Sequence, residues 1–152
     1  MSTRALITVK SRGETFHIYR HCDGYPQGES GVIRDLKASC KLAWPLPRFE
    51  ASDFAAAIVA TMKTREGQIY LSKSLDCGQA YTYVLTQGKG LQIMLAIYEG
   101  TAKSGVMIYQ GTLPECLLDA AGTDAMQQDG PKWRTLDSTG RAHERIRADT
   151  DA

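Results

Sequence analysis

The sequence predicts an α+β domain in which an antiparallel sheet of about six strands carries two helices on one face. Two observations predict this class. Two segments have apolar residues at helical spacing. The segments before and after them alternate between apolar and polar residues, as strands do. The later strand-like segments are joined by short loops that contain glycine, and such loops favour hairpins over the long crossovers that parallel strands need.

The first two strands are predicted to form a hairpin. Residues 4–10 alternate between two faces, and Ser11-Arg12-Gly13-Glu14 supplies a turn. Residues 15–21 form the return strand, with Phe16 and Ile18 on the core side. Since successive strand residues point to opposite faces, the other face carries His17, Tyr19 and His21.

Two amphipathic helices are predicted next. Apolar residues at helical spacing between residues 32 and 43 predict the first helix, with Ser30 as its N-cap. Trp44-Pro45-Leu46-Pro47 ends it, because two prolines so close together cannot both continue a helix. The second helix is predicted to begin near Ser52, a good N-cap residue, and to end at Gly67.

The remaining strands are predicted at residues 68–71, 80–86, 91–98 and 106–110. A short helix over residues 114–121 completes a single domain, which we place at residues 1–122. Residues 123–152 are polar and of mixed charge, so we expect a loose tail or a peripheral helix there. Within it, Trp133 is expected to pack back onto the domain, because a tryptophan can bury a large apolar area.

The composition excludes several classes of protein. No run of about 18 apolar residues exists, so we expect no membrane partner, and the N-terminus lacks a signal-peptide pattern, so we expect the cytoplasm. A net charge of +1 gives little attraction to nucleic acid, and we expect no nucleic-acid partner. Four cysteines without a close pair exclude a zinc ribbon and a CxxC redox motif. No phosphate-binding or other cofactor motif is present, and we assign no cofactor.

The stretch from His17 to Pro26 is the candidate binding surface, because two of the three histidines of the chain lie in it. Loop residues at the end of a rigid strand are favoured positions for binding. The residues that we assign to this surface are His17, Tyr19, His21, Asp23 and Tyr25.

Two uses of this surface stay open. The favoured use is non-enzymatic binding, with no metal, because so short a pattern also arises on plain polar strands. The alternative is a small hydrolase, with or without a metal, in which His17, His21 and Asp23 bind the ion or transfer protons. Cys22 is a poor nucleophile candidate, because His21 beside it points to the opposite face.

Two segments near the N-terminus resemble a family of small proteins encoded by bacteriophages and prophages. They are Ser2-Thr3-Arg4-Ala5-Leu6-Ile7 and Tyr19-Arg20-His21-Cys22-Asp23-Gly24-Tyr25-Pro26. Members of that family typically begin with a Thr-Arg strand and carry a His-Trp-Asp-Gly-Tyr-Pro motif, and Cys22 stands here in place of the Trp. The resemblance covers roughly the first thirty residues. It implies an accessory protein that binds a host protein, such as a defence component, or a nucleotide-like ligand, and a homodimer through a sheet edge is a further expectation.

Overall fold

The computed structural model describes residues 2–65, 67–89 and 92–113. They form six strands and two helices in the order β1 (Ala5–Ser11), β2 (Glu14–Arg20), α1 (Val32–Ser39), α2 (Ala51–Arg65), β3 (Ile69–Ser72), β4 (Tyr81–Gln87), β5 (Ile93–Glu99) and β6 (Val106–Thr112). The predicted α+β class and all six predicted strands are confirmed. The predicted helix at 114–121, the tail at 123–152 and Trp133 lie outside the described residues.

The six strands form one sheet in the order β3-β2-β1-β4-β5-β6. Four of its five pairings are antiparallel, as predicted. The prediction of a purely antiparallel sheet is wrong at the centre, where β1 and β4 run parallel with Ala5 opposite Tyr81. Residue alternation shows which face a side chain takes, but it does not show which strands pair when the connection between them is long.

The β1–β2 hairpin turns through Arg12 and Gly13, which both have positive φ, at 44° and 82°. Two positive φ values are what a tight two-residue hairpin turn requires. The turn fixes the register of the two strands and thereby sets Thr8 opposite His17.

The helices differ from the prediction at their ends. The first, α1, ends at Ser39 instead of Ala43, and its N-cap is Gly31, not Ser30. The backbone N–H groups of Val32 and Ile33 donate to carbonyl oxygens of the preceding turn, so no capping side chain is needed. Because α2 already begins at Ala51, Ser52 lies inside its first turn.

The helices and the sheet share one hydrophobic core. Helix α2 packs against β1, β2 and β3, and α1 packs against α2. Ile7, Ile18 and Tyr83 are completely buried on this side of the sheet. Phe16 is partly buried against the same core, so the predicted division of β2 into two faces is confirmed. Neither described helix is long and apolar enough to cross a membrane.

Candidate functional site

The five residues predicted to form one binding surface divide into two groups. His17 lies on the sheet face opposite the helices, where its Nδ1 is 2.9 Å from the Thr8 hydroxyl oxygen. Tyr19 lies on the same face, with its hydroxyl 2.8 Å from His21 Nδ1. Asp23 and Tyr25 are in the following turn, where the Tyr25 hydroxyl donates to Asp23 at 3.1 Å. Burial, together with this bond to Asp23, raises the pKa of Tyr25.

The turn after β2 is packed tightly against the start of β1. The Gly24 N–H donates to the Thr3 carbonyl at 2.8 Å, and the hydroxyl of Tyr83 donates to the Gly24 carbonyl at 2.6 Å. A Cβ atom at Gly24 would stand 2.8 Å from backbone atoms of Thr3 and Arg4. Asp23 adopts a positive φ of 55° to make this approach. The Asp-Gly-Tyr-Pro motif therefore has a structural role, which is to dock the turn and cap α1.

The same turn is held from inside by a buried ion pair. The side chain of Arg20 is fully buried and contacts Asp35 of α1 at 2.5 Å. It also donates to the carbonyl oxygens of Cys22 and Ser30, at 3.0 and 2.6 Å. Arg65 of α2 contacts the second oxygen of Asp35 at 3.3 Å. One guanidinium thus joins the end of β2, the turn and α1.

The structure gives no support to a metal site shared by His17, His21 and Asp23. Three residues lie between the two histidines, and four steps along an extended chain place their Cα atoms about 13 Å apart. Within the described ranges, no group of three His, Cys, Asp or Glu side chains could hold a metal ion.

A cavity of about 420 Å³ lies on the sheet face that carries His17. Its floor consists of side chains from β1, β2 and β4: Leu6, Thr8, Lys10, Thr15, His17, Thr82 and Val84. One wall is the β3–β4 loop (residues 73–80), through Leu75 and Asp76, and the other is the β5–β6 loop (residues 100–105), through its residues 101–104. The volume is within the range of pockets that bind small molecules, and we call it the open-face cavity.

A hydrogen-bond chain ties the two walls to the floor. The Gln79 amide of the β3–β4 loop donates to the Thr82 hydroxyl at 2.9 Å, and that hydroxyl donates to the Gly100 carbonyl of the β5–β6 loop at 2.7 Å. Gln79 and Thr82 are both buried. These hydrogen bonds lie within the protein, so the two walls are attached to the floor by contacts that need no ligand.

The polar groups of the open-face cavity are mainly hydrogen-bond donors and hydroxyls. Burial and, to a lesser degree, the positive charge of Lys10 lower the pKa of His17, so its ring is neutral at pH 7. Asp76 is the one carboxylate of the lining, and it accepts the Gly78 N–H at 3.1 Å within its own loop. Neither Lys10 nor Lys103 forms an ion pair with a described residue.

Sequence reasoning found His17 but missed the rest of this cavity. One signal was present, because a two-residue turn at Arg12 and Gly13 implies that Thr8 faces His17 and that Lys10 follows on the same face. The contributions of Thr82, Leu75 and Lys103 had no local signal. They depend on the parallel pairing of β1 with β4 and on two loops that fold over the sheet.

Comparison with known proteins adds no relative, since no family model, no curated protein and no solved structure matches the chain.

Proposed function

We propose that this protein binds a small molecule non-covalently in the open-face cavity. The observation that carries the proposal is a preformed cavity of about 420 Å³ that combines apolar side chains with several polar groups from three strands and two loops. This combination of an apolar lining with a few converging polar groups is typical of ligand sites.

The exposure of Leu75 supports the same proposal. This side chain forms part of a cavity wall and is 64% exposed, although it is a large apolar residue. A ligand in the cavity would cover it and remove apolar surface from water, which favours binding.

A small ligand is also one of the two partners expected from the resemblance to phage proteins. Binding to a host protein and pairing of two copies through a sheet edge stay predictions. Hydrolysis is the weaker candidate, because Tyr19 and Asp23 are hydrogen-bonded to His21 and Tyr25 while His17 stands apart with Thr8.

The proposal is tested by filling the cavity. Val84 is half-buried on the cavity floor, and Val84→Trp should occupy the space that a ligand needs. We expect small ring compounds to shift the backbone amide signals of Thr8, His17 and Ala102 in the original protein, measured by ¹H–¹⁵N NMR, and to leave them unchanged in the variant.

Gln110→Trp is the matched control. Gln110 is exposed on the same sheet face, two strands from Val84, so Gln110→Trp introduces the same side chain outside the cavity. It should retain the ligand-induced shifts. If Val84→Trp fails to fold, Ala102→Trp fills the cavity from an exposed position on its wall. Two results would refute the proposal. One is a set of ligand-induced shifts at residues outside the cavity, such as those around Trp44, and the other is the absence of shifts with every compound.

A further inference from the structure

We infer that the ligand of the open-face cavity is a small organic anion, whose acidic group lies at Lys10 and His17 and whose apolar body lies at Leu6 and Val84. This inference rests on the proposed function and names the chemical class that the cavity selects. It follows from the charges, the hydrogen-bond donors and the distribution of apolar residues in the lining.

The charged side chains that line the cavity carry a net positive charge. The lining contains Lys10, Lys103 and Asp76 as charged residues. Asp76 keeps its negative charge although its Oδ1 accepts the N–H of Gly78, so the two lysines and this carboxylate leave a net charge of +1. Both lysines are exposed at the cavity and have no acidic partner among the described residues, so they attract an anion.

The imidazole ring of His17, which contacts Thr8, also faces the cavity. Thr8 is 3% exposed, and its hydroxyl oxygen is 2.9 Å from His17 Nδ1. No described residue is a hydrogen-bond partner of Nε2, so the tautomer that carries its proton on Nε2 can donate this N–H to a ligand. Lys10 follows Thr8 on the same strand face, and its charge acts on the His17 ring.

Thr15 completes this end of the cavity. It is paired with Lys10 across the hairpin, and its side chain is on the same face as His17. An ammonium group, an imidazole ring and a hydroxyl group therefore occupy neighbouring positions on the floor. Carboxylates and phosphates accept hydrogen bonds from such groups more strongly than neutral ligands do.

Apolar side chains line other parts of the cavity. Leu6 is almost completely buried on the floor, Val84 lies on β4 opposite Thr8, and the exposed Leu75 stands on the wall. A ring-sized apolar body fits against these side chains, while the acidic group lies at Lys10 and His17. The ligand class is therefore a phosphate or carboxylate attached to a small ring, which includes nucleotide-like molecules.

The test compares probes that share a ring and differ in charge. Phenyl phosphate, benzoate and uridine monophosphate are the anionic probes, and benzyl alcohol and uridine are the neutral ones. We expect at least one anion to bind about tenfold more tightly than its neutral counterpart, as measured from NMR shifts at Thr8 and His17. The anion that binds best identifies the acidic group as phosphate or carboxylate.

Lysine variants locate the acidic group. Lys10→Gln should weaken binding of the anion about tenfold and leave binding of the neutral probe unchanged. Lys41→Gln is the matched control, because Lys41 is equally exposed but does not line the cavity. Equal binding of neutral and anionic probes, or an anion that is insensitive to Lys10→Gln, would overturn the inference while leaving the proposed function standing. Absence of binding by every probe would refute both.

Discussion

At the scale of single residues, His17 has the most unusual environment of the predicted site. Its ring is within hydrogen-bond distance of Thr8 on β1, and the charge of Lys10, two residues further along the same strand, also acts on it. Burial and this charge both disfavour the imidazolium form. A histidine that is hard to protonate in the folded protein connects the stability of the protein to pH.

The pH dependence has a definite sign. The folded pKa of His17 is below the ordinary value of 6.5, so the unfolded chain binds this proton first as the pH falls. The free energy of unfolding should therefore decrease as the pH is lowered below about 6.5, and His17→Gln should remove this part of the decrease. Urea unfolding at a series of pH values measures the difference between the two proteins.

Lys10→Gln provides a second check on the cause. Burial is the larger cause of the lowered pKa and stays in this variant, whereas the charge is removed. The decrease in stability with falling pH should become smaller but should not disappear. If original and His17→Gln proteins lose stability in parallel as the pH falls, the assignment of this effect to His17 is wrong.

At the scale of elements, the turn after β2 is organised by a side chain of the strand itself. Arg20 supplies donors to Asp35 and to two turn carbonyls; its ion pair with Asp35 is buried, and its bonds to the two carbonyls are partly buried. The planar guanidinium can reach several acceptors at once, and the single ammonium group of lysine cannot replace it.

Arg20→Lys should therefore destabilise the fold, although it keeps the charge. Weakening the buried ion pair with Asp35 and leaving the partly buried carbonyls of Cys22 and Ser30 without donors should cost about 2–4 kcal/mol of unfolding free energy. Arg48→Lys is the control, since Arg48 forms a 2.8 Å ion pair with Glu50 that is exposed on both sides, and it should change stability by less than about 0.5 kcal/mol. Equal effects of the two substitutions in urea unfolding would contradict this role of Arg20.

The elements show which parts of the structure could be predicted from the sequence. The alternation of apolar and polar residues predicted the ends of the strands to within one or two residues, because local sequence determines which face each strand residue takes. The same alternation puts Arg20 on the core face with Phe16 and Ile18, which signals a buried charge that needs a carboxylate. Its partner Asp35 lies on a helix 15 residues away, and nothing local identifies it. The N-cap of α1 was missed because backbone carbonyls of the turn replace the expected side chain.

At the scale of the whole molecule, the parallel pairing of β1 with β4 joins two parts that are each continuous in sequence. The first part contains β1, β2, both helices and β3, and the second is the β4-β5-β6 meander. Each is connected within itself by antiparallel pairings of neighbouring strands or by helix packing. The open-face cavity lies across this junction, since its floor takes side chains from β1 and β2 on one side and β4 on the other. The proposed ligand binding therefore requires that the two parts stay joined.

Tyr83 makes a bond across the junction. It is completely buried on β4, and its hydroxyl donates to the Gly24 carbonyl in the turn of the first part at 2.6 Å. Tyr83→Phe removes this donor and should lower the free energy of unfolding by about 1–3 kcal/mol. We expect the sheet to unfold as one unit through the central pairing of β1 with β4, so both parts should lose the same amount of protection.

Native-state hydrogen exchange shows whether the two parts of the sheet unfold together or separately. The amide groups of Ile18 in β2 and Leu95 in β5 report the two parts separately. Tyr83→Phe should speed their exchange by the same factor, whereas Tyr70→Phe, at a half-exposed position on the edge strand β3, should change neither. Faster exchange in one part alone would mean that the two parts open independently. The cavity would then lose its floor at β4 without unfolding of the hairpin that carries His17.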